Sequence, residues 1–400
     1  MADTSKYASM PKVELHCHLE GAVRWSTLLE ETKKQGFPLS DNPRDELLIT
    51  GPVGTLANFL NKMDLHHRIL SSLSVLERIS EEAVVDKYAE GVKLLELRYA
   101  PSYIHKGHEH PFPDSLQAIK RGIKKGVEKC GGDIHVGLIC IAVAAFGAEE
   151  FEKTVDFAIE NKEDFLGFDI AGVEVGLRDF KPFMDRLYAA GLKLTAHAAE
   201  DAETGLPENA LVAVDDLHCS RIGHGIQIIK RPDIMEKIRD KGVHLEFNPT
   251  SNWYTGSVES LDKHPIRDFW QFGVSVGIST DDPGVMGISL LDEYENMETH
   301  QGLTEPDFLL MNCHALAHAF MPLAVRQQVY AQHFRGPLQK CATDSHRRDA
   351  LRVLQTMGVL KGGACRQKGH AEDGTAVRKL SLTEDEAYLM SSEDPVACQV

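Results

Sequence analysis

Two histidines, His16 and His18, stand one residue apart at the end of the apolar run KVELHCHLEG, residues 12–21. Side chains two positions apart on a β-strand point to the same face, so these imidazoles can share one ligand. Histidine is the commonest metal ligand among the side chains. The alternative is chance, because 19 histidines among 400 residues make an accidental His-x-His pair possible. Taken alone, the spacing predicts half of a metal site or a coincidence.

Further histidines and a carboxylate follow other short apolar runs. His197 lies near the end of LKLTAHA, His224 lies in RIGHGI, and Asp281 follows VSVGIST. The imidazoles of His16, His18 and His197, with the carboxylate of Asp281, suit one Zn²⁺ ion and leave room for a water. Because these residues fall at the same end of several runs, convergence on one centre is favoured over coincidence.

Three more polar residues beside this set have chemical uses. Zn²⁺ lowers the pKa of bound water toward ~7, and Glu200, three residues after His197, can shuttle a proton to a substrate. His224 can accept a hydrogen bond from the metal-bound water and orient it. Asp282 can bond to the substrate or to a group behind the ligands. A single metal is expected, because the run FLGFDIAG at 165–172 ends without a Lys, Glu or His to bridge two ions.

Short apolar or β-branched runs must position these residues. Longer amphipathic stretches such as DSLQAIKRGIKKGVEKC separate them, and several of these end in glycine, which is a common helix stop signal. Buried strands that alternate with helices predict a parallel sheet covered on both faces. The predicted strands span residues 12–18, 94–100, 134–143, 165–171, 192–198, 221–226, 243–249 and 274–280.

The predicted fold class is α/β, a closed (β/α)8 TIM barrel rather than an open doubly wound sheet. The carboxyl ends of barrel strands meet at one mouth, whereas an open sheet would spread the polar residues along an edge. Extra helices are expected after strand 1, within 19–93, and a C-terminal helical extension over 290–360. A single barrel domain is expected over 8–345, and the polar stretch 361–400 is predicted to be a disordered tail.

Bulk composition excludes several classes of function. The chain has 43 Lys plus Arg against 60 Asp plus Glu, a net charge of −17, and no basic block, so nucleic acid or an anionic membrane is not expected as a partner. No apolar run reaches the ~20 residues of a membrane span, and the N-terminus lacks a signal-peptide pattern. The eight cysteines are scattered along the chain. This pattern indicates free thiols in a reducing compartment. A cytoplasmic location is predicted, and the oligomeric state stays open, a monomer included.

Seven motifs resemble, in order, those of the adenosine/adenine deaminase family of the amidohydrolase superfamily. They are VELHCHLEG, LELRYAP, FDIAG, HAAED, RIGHGI, PTSNWYTG and STDDPG, and the resemblance covers residues 8–340. It implies zinc-dependent hydrolytic deamination of adenosine and 2′-deoxyadenosine to inosine and deoxyinosine, with release of ammonia, in purine salvage. The implied partner is a small-molecule purine nucleoside, and the implied cofactor is one zinc ion per subunit.

The same resemblance implies a role for each matching residue. Glu200 would donate a proton to purine N1 while hydroxide, stabilised by His224, attacks C6. Asp282 would hydrogen-bond to N7, and the backbone N–H of Gly172 would meet N3, where a glycine allows close approach to a flat base. Glu20 takes the place of an acidic residue that contacts the ribose.

Features near the expected substrate leave its identity open. TLANFLNKM resembles a lid helix whose Leu56, Phe59 and Leu60 would cover the base, although plain core packing is the alternative. Two positions depart from the family pattern: Ala199 adds a methyl group beside the catalytic centre, and Val173 removes a carboxylate near the base. Neither is a metal ligand, so deamination is still expected. Adenine, N6-modified AMP or adenosine, and methylthioadenosine stay as alternative substrates.

Other interpretations are less favoured. A catalytically idle binding protein would have lost a ligand or the proton shuttle, and a structural zinc site would be closed to water. Three histidines in IHKGHEH, residues 104–110, are assigned to a surface loop. His314 and His318 lie four residues apart without the glutamate of a metalloprotease motif, so they are assigned to helix packing.

Overall fold

Parallel strands form the centre of the molecule. The computed structural model describes residues 5–360, with gaps at 71, 106–109, 173, 175 and 342–343. Within these residues each of eight strands pairs in parallel with the next one in chain order. The strands are β1 (Lys12–His18), β2 (Val92–Tyr99), β3 (His135–Val143), β4 (Gly167–Ala171), β5 (Lys193–Ala198), β6 (Arg221–His224), β7 (His244–Phe247) and β8 (Ser275–Ile278).

The sheet closes between β1 and the segment that follows β8. The N–H of His18 donates to the carbonyl of Asp281 at 2.8 Å, and the N–H of Asp281 donates to the carbonyl of His16 at 3.1 Å. These bonds form a short parallel bridge between the first strand and the last. The predicted (β/α)8 barrel is therefore confirmed, and the carboxyl ends of its strands share one mouth.

Helices connect the strands and cover the barrel. The first crossover holds α1 (Trp25–Lys34), α2 (Pro43–Leu47), α3 (Leu56–Lys62), α4 (Asp64–Ile69) and α5 (Leu73–Ala89). Between later strands lie α6 (Pro101–His105), α7 (Phe112–Lys129), α8 (Ala148–Glu160), α9 (Lys181–Ala189), α10 (Pro207–Leu211), α11 (Pro232–Asp240), α12 (Pro249–Tyr254) and α13 (Ile266–Phe272). After β8 come α14 (Pro283–Met286), α15 (Leu290–Gln301), α16 (Glu305–His318), α17 (Leu323–Val329), α18 (Arg335–Cys341) and α19 (Asp344–Thr356).

The helices after β8 form the predicted C-terminal extension. Helix α16 packs against β1, β7 and β8, and Leu351 and Leu354 of α19 are buried in the same apolar cluster as Leu309 of α16. The division into a domain at 8–345 and a tail at 361–400 stays a prediction, and the tail lies outside the described residues. In the described part of the chain, no helix combines the length and apolar character needed to cross a membrane.

Six strands, β3 to β8, are shorter than predicted, and two of them, β6 and β7, end early for local backbone reasons. β6 ends at His224 because Gly225, with φ of 74°, turns the chain out of the sheet. β7 ends at Phe247 because Pro249 starts α12 two residues later, and proline favours the first turn of a helix. Both early endings bring the following residues into the barrel mouth.

Helices α5 and α7 pack unusually closely, and two glycines of α7 allow it. A Cβ atom at Gly122 would lie 2.1 Å from the carbonyl oxygen of Glu77 in α5. At Gly126 it would lie 2.7 Å from the Cβ of Val84. Because a side chain at either position would push the helices apart, this contact fixes α5, the last helix of the first crossover, on the barrel wall.

We expect Gly122→Ala to lower the free energy of unfolding by about 1–3 kcal/mol, the usual cost of forcing extra atoms into a packed interface. Urea unfolding followed by circular dichroism measures it. The matched control is Gly336→Ala in α18, where an added Cβ meets no atom within 4 Å and alanine should stabilise the helix by up to ~1 kcal/mol. Equal effects of the two substitutions would contradict the packing argument.

Candidate active site

A cavity opens to solvent at the carboxyl ends of the strands, with about 670 Å³ of empty space when the open solvent at its mouth is included. Its polar floor and apolar wall include almost every residue predicted for the site. The predicted residues that line it are His18, Glu20, Leu56, Phe59, Leu60, Gly172, His197, Glu200, His224, Asp281 and Asp282.

Three imidazoles and one carboxylate meet at the cavity floor. Nε2 of His16 and Nε2 of His18 each lie 3.2 Å from Oδ1 of Asp281. Nε2 of His18 also lies 3.3 Å from Nε2 of His197. Nε2 of His16 is buried and has no hydrogen-bond partner among the described residues. The structure therefore brings together the four residues that the sequence predicts as metal ligands.

His224 belongs to the same cluster. The donor atoms of His16, His197, His224 and Asp281 all lie within 4.8 Å of one another, so a second four-residue set, with His224 in place of His18, can also hold a metal ion. Nε2 of His224 lies 3.7 Å from Oδ2 of Asp281, farther than Nε2 of His18 lies from Oδ1. The set with His18 is the tighter one.

Backbone strain is concentrated at this cluster. Among the described non-glycine residues, positive φ angles occur at Ala199, His224, Asp281 and His218, and the first three lie at the barrel mouth. A left-handed backbone at such residues costs of order 1–3 kcal/mol and persists only where the surroundings hold it. Here β-sheet bonds on both sides hold Asp281. Of these three residues, His224 and Asp281 line the cavity.

Buried carboxylates stand behind two of the imidazoles. Nδ1 of His16 lies 2.9 Å from Oε2 of Glu246, and Nδ1 of His197 lies 3.1 Å from Oδ2 of Asp169. Each carboxylate accepts the Nδ1–H, which leaves the lone pair on Nε2 directed at the cluster. Arg98 joins them, since its guanidinium lies 2.8 Å from Asp169 and 2.7 Å from Glu246.

These supporting charges are absent from the sequence-based site. Their signal in the sequence is an ionisable residue inside a run that otherwise reads as a buried strand, as in LELRYA, FDIA and HLEF. Burial alone raises the pKa of Glu246, but Arg98 and Arg221 outweigh it, so the pKa lies well below its ordinary value. Glu246 is therefore ionised and can fix the ring of His16.

Glu200 follows β5 in a turn held from two sides. Glu174 accepts hydrogen bonds from the N–H groups of Ala199, at 2.5 Å, and Glu200, at 2.7 Å. Gln227 donates from its backbone to the carbonyl of Ala199 and from its side chain to that of Glu200. The methyl group of Ala199 is thus accommodated despite its φ of 54°. Burial, with a contribution from Asp281, raises the pKa of Glu200 well above its ordinary value.

Two further carboxylates reach the cavity with unsatisfied atoms. Oε1 of Glu20 accepts the N–H of Ala100 at 2.6 Å, whereas its Oε2 is buried without a hydrogen-bond partner among the described residues. Burial raises the pKa of Glu20 to about 7. Oδ1 of Asp282 is likewise unpartnered, and a Cβ at Gly21 would lie 1.8 Å from it. Glycine at 21 therefore makes room for this carboxylate.

The apolar wall comes from α3 and the loop after β4. Phe59 is buried, whereas Leu56 and Leu60 are partly exposed, and all three line the cavity. Phe59 also packs with Met63 in an apolar cluster, so the helix both packs against its neighbours and lines the cavity. Gly172 has a φ of 101°, a conformation that favours glycine. Val173 lies outside the described residues.

The structure tests one of the two assignments made for histidines outside the cluster. His314 and His318 are buried on α16, and the ring of His318 stacks on that of His244 with centroids 5.0 Å apart. Their assignment to helix packing is confirmed. The loop 104–110 lies partly outside the described residues, so its assignment to the surface stays a prediction.

A (β/α)8 barrel with a buried histidine–aspartate cluster at its mouth defines the amidohydrolase class of enzymes. Residues 11–332 match the family model described as adenosine deaminase. The chain is 33% identical over 330 residues to an adenosine deaminase of Plasmodium falciparum, covering 81% of this chain and 89% of the relative. The chain belongs to the adenosine deaminase family and is a hydrolytic deaminase.

Solved structures agree with this assignment. A zinc-bound amidohydrolase of Burkholderia ambifaria is 25% identical, with a TM-score of 0.75 and coverage of 88% of this chain and 93% of that one. The N6-methyl-AMP deaminase of Arabidopsis thaliana is 26% identical, with a TM-score of 0.68 and coverage of 81% and 96%. Proteins similar to this chain are thus named for different aminopurines, adenosine and N6-methyl-AMP.

We expect Asp169→Asn to weaken Zn²⁺ binding about 10- to 100-fold, because His197 loses the charged acceptor that orients its ring. Competition with a chromogenic chelator measures the affinity. The matched control is Asp201→Asn, which removes a carboxylate that accepts the N–H of Thr204 at 3.0 Å within its own loop and should leave the affinity unchanged. Unchanged affinity in Asp169→Asn would show that this carboxylate does not support the cluster.

Proposed function

We propose that this protein converts adenosine and 2′-deoxyadenosine, with water, to inosine and deoxyinosine plus ammonia, and that it uses one Zn²⁺ ion per subunit. The observation that carries the proposal is that the histidine–aspartate cluster and the buried acid Glu200 face the same cavity in a chain of the adenosine deaminase family. We further propose a role in purine salvage in the cytoplasm.

His16, His18, His197 and Asp281 are the zinc ligands in this proposal. Bonds of about 2.0–2.2 Å to one Zn²⁺ ion would bring its histidine and aspartate ligand atoms within roughly 4.4 Å of one another. The separations of 3.2 and 3.3 Å in the cluster fit this geometry. The zinc ion in the similar Burkholderia protein supports the choice of metal. When bound, zinc lowers the pKa of water to about 7 and so supplies hydroxide at neutral pH.

Glu200 acts as the proton donor. Burial raises its pKa well above the ordinary value, which favours the protonated carboxyl group that can give a proton to N1 of the purine while oxygen adds to C6. The proton of the added hydroxyl group then passes to N6, the C6–N6 bond breaks, and ammonia leaves a carbonyl group at C6. Nε2 of His224 lies 3.6 Å from Oε1 of Glu200, and His224 stabilises the attacking oxygen.

The base is held by groups on the cavity floor and wall. Asp282 hydrogen-bonds to N7, and burial, followed by the charge of Asp281, raises its pKa well above the ordinary value, so it can donate to that acceptor. The N–H of Gly172 meets N3. Leu56, Phe59 and Leu60 cover the faces of the ring, which an apolar wall suits.

Cavity charge favours a neutral nucleoside over a nucleotide. No lysine or arginine is among the described residues that line the cavity, whereas Glu20 and Asp282 are carboxylates. A 5′-phosphate would lack the cationic partners that phosphates usually have. The unpartnered Oε2 of Glu20 would instead accept a ribose hydroxyl, which favours a nucleoside over the free base. Adenine, N6-modified AMP or adenosine, and methylthioadenosine remain the alternatives.

A substrate panel with metal removal tests the proposal. We expect adenosine and 2′-deoxyadenosine to have the highest kcat/KM in an absorbance assay, and AMP a value at least about 100-fold lower because of the unfavourable charge. Chelation should abolish activity, and added Zn²⁺ should restore it. A preference for adenine or an N6-modified nucleotide would overturn the substrate assignment, and full activity after complete metal removal would overturn the metal dependence.

We expect Glu200→Gln to lower kcat by about 10²- to 10⁴-fold, because the amide keeps the volume but has no acidic proton to transfer. Zinc content, measured by atomic emission, should not change. The matched control is Glu203→Gln, an exposed glutamate in the same loop, which should retain wild-type kcat. Near-normal turnover of Glu200→Gln would exclude Glu200 as the proton donor.

A further inference from the structure

We propose that Asn252 and His264 are positioning residues that hold the single ring proton of His224 on Nε2, and so make this nitrogen a hydrogen-bond donor to the attacking oxygen. The proposal deepens the proposed function and rests on it. A neutral imidazole has one N–H, and the partner of one ring nitrogen decides which nitrogen has it. The partners here form a chain that begins at a backbone amide.

The chain begins in the first turn of α13. The backbone N–H of Ile266 donates to Nδ1 of His264 at 3.2 Å. A backbone amide can only donate, so Nδ1 of His264 must offer its lone pair. The ring is buried, and burial lowers its pKa to about 3, so it is neutral and its proton is on Nε2.

The second step fixes the amide of Asn252. Nε2 of His264 lies 3.2 Å from Oδ1 of Asn252, and a ring N–H at this place requires the amide oxygen as its acceptor. The amide nitrogen of Asn252 must therefore face the other way, where it lies 2.8 Å from Nδ1 of His224. The side chain of Asn252 is fully buried, so water does not compete for either end.

The third step places the proton of His224. Nδ1 accepts from the amide nitrogen of Asn252, and the amide nitrogen of Asn248 lies 3.4 Å from the same atom. A ring nitrogen that accepts carries no proton, so the single ring proton is on Nε2. This N–H is buried without a hydrogen-bond partner among the described residues. It lies 3.6 Å from Glu200 and 3.7 Å from Asp281, at the edge of the cluster. Such a donor is satisfied when an oxygen arrives there.

The chain also distinguishes His224 from the ligands. His16 and His197 direct Nδ1–H at carboxylates and present an Nε2 lone pair. His224 presents Nε2–H, which cannot bind a metal. This reverses the sequence-based expectation that His224 accepts a hydrogen bond from water, and it decides against the metal set that contains His224.

Asn252→Asp tests the proposal, because a carboxylate keeps the shape but can only accept. We expect Nδ1 of His224 to become protonated, which long-range ¹H–¹⁵N NMR of ¹⁵N-histidine-labelled, metal-free protein detects. In the zinc-loaded enzyme we expect kcat for adenosine to fall at least about 100-fold, as loss of an oriented proton-bearing group does, with KM and zinc content unchanged. The matched control is Asn161→Asp, the same substitution at the end of α8, where the amide donates to the carbonyl of Phe157 at 2.9 Å. It should retain the wild-type proton position and kcat.

Asn252→Ala gives a second route if the aspartate variant does not fold. With only the more distant amide of Asn248 left, at 3.4 Å from Nδ1, we expect both tautomers of His224 in the spectrum and a loss of about 10-fold in kcat. The proposal would be overturned if either variant gave the same spectrum as the wild-type protein. It would also be overturned if Nδ1 of His224 were already protonated in the wild-type protein. The NMR spectrum is recorded without substrate and does not depend on adenosine turnover. If the wild-type enzyme did not deaminate adenosine, only the proposed function would be overturned.

Discussion

The barrel interior depends on one buried carboxylate. Oε2 of Glu246 bonds to His16 and to Arg98, and its Oε1 lies 2.7 Å from Nε of Arg221. All of these side chains are essentially inaccessible to solvent. A buried charge is tolerated only when it is paired and hydrogen-bonded, and removal of one partner leaves another uncompensated. The charges that fill the barrel axis are therefore the charges that orient the first cluster imidazole. The same ion pairs therefore stabilise the barrel interior and orient His16 in the site.

The partner at Nδ1 also decides which ring nitrogen is protonated in the three cluster histidines for which such a partner is identified. A carboxylate behind the ring of His16 or His197 draws the proton to Nδ1 and exposes an Nε2 lone pair, whereas an amide nitrogen behind His224 does the opposite. Residue type alone cannot make this distinction. One face of the cavity thus offers lone pairs for a cation, and the adjacent face offers a proton to an anion or water. A hydrolytic site at neutral pH needs both.

Much of this arrangement could be predicted from the sequence, for identifiable reasons. His16 and His18 follow the two-residue period of a strand, and His197 and Asp281 come at the ends of apolar runs that a barrel must bring to one mouth. Glu246 and Arg98 could not be assigned, because their meaning lies in contacts across the barrel between residues 148 positions apart. Asn252 and His264 were missed for a related reason. Their roles depend on which end of an amide faces which ring nitrogen, and no periodicity encodes that orientation.

Barrel closure and site formation are the same event at the seam between β1 and β8. Asp281 adopts a left-handed backbone with φ of 61°, which for a residue with a side chain costs of order 1–3 kcal/mol. Its N–H and C=O both pair with β1, on either side of Cys17, so the ladder that closes the barrel also holds the strained residue. His16 and His18 accept and donate these same backbone bonds. Two imidazoles and the carboxylate are therefore brought together only when the last strand has found the first, which makes the cluster a property of the complete barrel and not of any local segment.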